Sequence, residues 1–70
     1  MNLFFGLGSG FDAGMEKELT AVIRRALAEA RAAGADYLTQ TELTVRAVLQ
    51  AFPEMTASQA LAQVNRLRQS

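Results

Sequence analysis

The side chains that carry most nucleophilic and metal chemistry at neutral pH are missing, since the chain has no cysteine and no histidine. Thiolate nucleophiles, imidazole acid–base catalysis, disulfides and most zinc or transition-metal sites go with them. No pair of carboxylates has a spacing that demands a shared site. Ser9, Ser58 and the threonines suit flexible loops and helix caps. This inventory argues against an enzyme, and no metal or cofactor is expected.

Two other patterns could do chemistry. Gly8-Ser9-Gly10-Phe11-Asp12-Ala13 matches G-x-G-x-x-A, with Leu3-Phe4-Phe5 before it and a helix after it. In a dinucleotide-binding fold such glycines let a pyrophosphate approach the backbone at a helix N-terminus. That fold needs a parallel sheet, and the rest of the chain reads as helix, so the nucleotide reading is rejected. Lys17, Arg24 and Arg31 recur at seven-residue intervals and fall on one strip of the first helix. Such a strip could meet phosphates or an acidic partner. Its plainer role is the solvated side of an amphipathic helix, opposite the apolar face.

The elements that would position these residues form one domain of 70 residues. Residues 1–14 read as an apolar, glycine-rich arm and residues 15–70 as a three-helix domain. The arm holds Phe4, Phe5 and Phe11, three of the four phenylalanines, and four of the five glycines. Burying each phenylalanine would gain about 2–3 kcal/mol, so the arm should cover the protein's own helices or a partner's groove. It has no positive charge to aid insertion into a membrane interface. It also lacks the basic opening of a secretory signal. No run approaches the roughly 18 apolar residues of a membrane span. A cytoplasmic location is expected.

Apolar residues at three- and four-residue steps trace the helices. Helix 1 is expected from Met15 to Ala33, with Asp12 as a candidate N-cap and Gly34 as a left-handed stop. Met15, Leu19, Val22, Ile23, Ala26, Leu27, Ala30 and Ala33 form its apolar face. Helix 2 is expected from Gln40 to Phe52, opened by a Thr39–Glu42 capping box and ended by Pro53. Thr41, Val45, Val48, Leu49 and Phe52 share its inner face, leaving Leu43 exposed on the other side. Helix 3 is expected from Ala57 to Arg68 behind a Thr56–Gln59 capping box. Its buried stripe would be Ala57, Ala60, Leu61, Val64 and Leu67, with Gln59, Gln63 and Arg66 outside.

Leu38-Thr39-Gln40-Thr41-Glu42-Leu43 with Val45, Val48 and Leu49, followed by Thr56-Ala57-Ser58-Gln59-Ala60-Leu61, resembles the helix-turn-helix half of some winged-helix regulators. The resemblance covers under half the chain. It implies a dimeric DNA-binding regulator in which Gln59, Gln63 and Arg66 reach base edges or phosphates. Seven basic residues balance seven acidic ones, whereas most dedicated nucleic-acid modules are basic. Helix 3 carries only Arg66 and Arg68, and no wing is read after it.

A core this small usually needs a staple, and without cysteine or histidine the remaining staple is another subunit. The favoured expectation is therefore a helical protein–protein interaction module, a bacterial or phage accessory protein that binds a partner or itself. Phe4, Phe5, Phe11 and Leu43 would bury against the second chain as aromatic and apolar anchors.

Overall fold

The computed structural model describes residues 13–69. They form three helices, α1 (Ala13–Ala32), α2 (Tyr37–Ala51) and α3 (Ala57–Gln69), with no strand among the described residues. The all-α three-helix fold expected from the apolar periodicity is the one observed. The arm up to residue 12, with Phe4, Phe5, Phe11 and the candidate cap Asp12, lies outside the described residues. α1 takes in Ala13 and Gly14, both expected to belong to the arm. A helix tolerates one glycine at about 1 kcal/mol relative to alanine, and the long apolar-periodic segment behind it offsets that.

α1 ends as its sequence predicts. Gly34 has φ 83°, its N–H donates to the Arg31 carbonyl, and the Ala35 N–H donates to the Ala30 carbonyl, both at 3.0 Å. This pair of bonds satisfies two carbonyls that the last turn would otherwise leave open.

α2 begins three residues earlier than expected, and its cap is Asp36 rather than Thr39. The Asp36 backbone is extended (φ −75°, ψ 177°). Its Oδ1 accepts from the Thr39 N–H at 2.8 Å and its carbonyl from the Gln40 N–H at 2.8 Å. Aspartate is among the strongest N-caps. Once it is in place, Thr39 lies inside the first turn and cannot cap. The C-terminus of α2 is at Phe52, where the chain leaves the helical region before Pro53.

The capping box of α3 is present in full. The Gln59 N–H donates to Thr56 Oγ1 at 3.1 Å and the Thr56 N–H donates to Gln59 Oε1 at 3.0 Å. Five residues separate α2 from α3, and the three helices run alternately up, down and up.

Leu19, Ile23, Leu27, Val48, Ala60 and Val64 form the core, flanked by half-buried Val22, Val45, Leu49, Phe52, Met55 and Leu67. Ala33, expected on the apolar face of helix 1, lies beyond the end of α1 and is exposed, and three positions in α2 and α3 also depart from expectation. Thr44 is fully buried, and its hydroxyl donates to the Gln40 carbonyl at 2.7 Å, which satisfies it without leaving the helix. Ala57 and Leu61, expected in the buried stripe of α3, are exposed. Ala60 and Val64 alone occupy the centre of that stripe, so Ala57 and Leu61 are left on its margin.

Candidate functional site

Two surfaces flank α3. On its α2 side lies an open groove of ≈ 670 Å³. Leu38, Val45 and Leu49 of α2 line one wall and Ala57 and Leu61 of α3 the other, with Glu42 and Arg46 at the rim. Leu38 is 66% exposed and Leu61 41%. Ala57 contributes only a methyl group to the groove wall.

A smaller hollow of ≈ 340 Å³ lies at the pole where α1 starts, lined by Met15, Ala51, Phe52, Pro53, Glu54, Met55 and Gln59. The root of the arm, the α2–α3 turn and the Ala57 end of the groove therefore lie at one pole.

At the opposite pole Arg68 joins α3 to α2. One guanidinium nitrogen donates to Thr41 Oγ1 and another to Gln40 Oε1 at 2.7 Å. The Thr41 hydroxyl donates onward to the Tyr37 carbonyl at 3.0 Å, and Gln40 Nε2 donates to the Ala35 carbonyl at 2.9 Å. The Arg68 carbon centre also sits 3.9 Å from the centroid of the Tyr37 ring, a cation–π contact.

The residues singled out from sequence do not form one site. Leu43 is 40% exposed, as expected, but is absent from the groove wall. Gln59 Oε1 is engaged in the capping box. Gln63 is half-buried, and its Oε1 accepts from Arg66 Nε at 3.2 Å and from another Arg66 guanidinium nitrogen at 2.7 Å. The side-chain acceptors of both glutamines are thus tied up within α3. Leu38 and Leu61 were not read as an exposed pair. The signal available was Leu38 falling on the same side of α2 as Val45 and Leu49, visible only once α2 starts at Tyr37.

Among the described residues no group of three or more aspartate, glutamate, cysteine or histidine side chains could hold a metal ion. No described helix is long and apolar enough to cross a membrane. Among the described residues the single perturbed titration is structural: the Thr39 backbone N–H, then its side chain, holds the Asp36 carboxyl below its ordinary value. No protein-family description, curated protein or solved structure matches the chain.

Proposed function

We propose that this chain is a protein–protein interaction module that self-associates, with the apolar groove between α2 and α3 receiving the phenylalanine arm of a second copy. The observation that carries the reading is the groove itself, a trough with Leu38 and Leu61 open to water. The arm supplies the complementary ligand, because Phe4, Phe5 and Phe11 lie within the 12 residues before α1, whose start shares a pole with the Ala57 end of the groove. Fully extended, that stretch reaches at most about 40 Å, ample to cross to a neighbour. Leu43, on another side of α2, adds a secondary contact. The absence of cysteine suits a module working in a reducing cytoplasm.

The test is solution mass by light scattering across about a tenfold range of concentration, where mass action would show. The native chain should be dimeric or larger. Phe4→Ala/Phe5→Ala and Leu38→Asp/Leu61→Asp should each give a monomer with unchanged helical circular dichroism. A native monomer throughout the range would refute the reading. Loss of helicity in the phenylalanine variant would instead assign the arm to the protein's own core.

A further inference from the structure

The balanced charge of the chain conceals a segregated one. Lys17, Arg24 and Arg31 do not face away from the bundle but border the seam between α1 and α3. Arg24 and Arg31 share a hollow of ≈ 290 Å³ with Arg68, over Leu27 and Leu67. Lys17 shares the next one along with Arg66 and Glu16. Lys17, Arg24, Arg31 and Arg66 thus line this edge, with Glu16 the one described acidic residue in the two hollows, while the Arg68 guanidinium is bonded to α2. Lys17, Arg24 and Arg31 are exposed, and none of them pairs with an acidic side chain among the described residues.

We propose that this edge is a docking face for an acidic amphipathic helix of another protein. Unpaired cations gathered on one side of a neutral molecule create a local positive potential, which selects an anionic partner. Their interval selects its shape. Seven residues of helix rise about 10.5 Å, so a helix lying along α1 with carboxylates seven apart meets Lys17, Arg24 and Arg31 in register. The half-buried Leu67 between the cations gives such a helix an apolar contact, which a phosphodiester strand would leave unused. Arginine forks, two here on α1, match carboxylates in bidentate fashion.

The probe is a synthetic helical peptide of about three heptads with glutamate at every seventh position and leucine beside it. Its control has the same composition with the glutamates distributed around the helix. A single-stranded DNA of similar length is the third titrant. Calorimetric titration of the full chain should show the in-register peptide binding at least about tenfold more tightly than its control or the DNA, and weakening as salt rises. Arg24→Glu/Arg31→Glu should weaken it about tenfold or more with unchanged circular dichroism. Arg24→Gln/Arg31→Gln replaces that variant if charge reversal impairs folding, with the same expectation. Equal affinity for the two peptides, tighter binding of the DNA, undiminished binding by the variant or no binding at all would each overturn the proposal.

Discussion

The two poles of the bundle are closed by different physics. Where α1 ends and α2 begins, the closure is polar: Gly34 and Ala35 N–H groups cap α1, Asp36 caps α2, and Arg68 bonds Gln40 and Thr41 while covering Tyr37. Where α2 ends and α3 begins, Phe52 and Met55 pack on the core, and the polar bonds of the turn are short-range: the Phe52 N–H to the Val48 carbonyl, the Met55 N–H to the Phe52 carbonyl, and the capping box of α3. Directional bonds fix one geometry, whereas apolar packing holds through area and tolerates adjustment. The apolar pole is the one where α1 starts and where the Ala57 end of the groove lies.

The largest expected effect that tests this contrast is at the apolar pole. Phe52→Ala should lower unfolding free energy by about 2–3 kcal/mol, read from urea denaturation. A change under about 0.5 kcal/mol, the ordinary range for a surface substitution, would mean that packing does not hold that pole. At the polar pole Arg68→Ala should lose about 1–2 kcal/mol, because its hydrogen bonds are charge-assisted but only partly buried. Arg68→Lys should recover little of it, since an ammonium lacks the planar fork that reaches Thr41 and Gln40 together. Full recovery by lysine would reduce the clamp to a simple charge effect.

Gly34→Ala should be destabilising by about 1 kcal/mol through its left-handed backbone alone, because nothing beyond its own chain neighbours lies within 4 Å of the added Cβ position. A neutral or stabilising result would show that the turn relaxes. The smallest effect is a pH dependence. The Asp36 carboxyl titrates lower in the folded chain than its ordinary value, so its contribution is complete above about pH 4 and fades as pH falls through the lower folded value. Asp36→Asn, still a capable cap, should leave the melting temperature near neutrality almost unchanged and flatten its decline on the acid side. An unaltered acid limb would assign that decline to other carboxylates.

The same contrast explains what was legible in the sequence. Gly34, Pro53 and the Thr56–Gln59 box act on neighbours a few positions away, so residue types and spacing were sufficient. Two caps competed at the start of α2, and the Thr39–Glu42 pattern masked the aspartate three residues before it. The Arg68 clamp spans 27 and 28 residues, a separation that no local pattern encodes. Periodicity placed Ala57 and Leu61 in the buried stripe of α3, whereas both are exposed. It did not reveal that both would line an open groove, which depends on where α2 lies. For the same reason the strip of Lys17, Arg24 and Arg31 was legible as a line of charge, but not as the wall of a seam completed by α3.

The Arg68–Tyr37 contact has a spectroscopic consequence. Tyr37 is the single tyrosine, and the chain has no tryptophan, so ultraviolet emission excited at tyrosine wavelengths arises from one ring. That ring lies beneath the guanidinium that fastens α3 to α2. Tyr37 is 67% exposed, so the emission intensity of that ring, rather than its accessibility to a quencher, responds to the docking of α3. The unlabelled protein thus carries a built-in optical gauge of its polar pole.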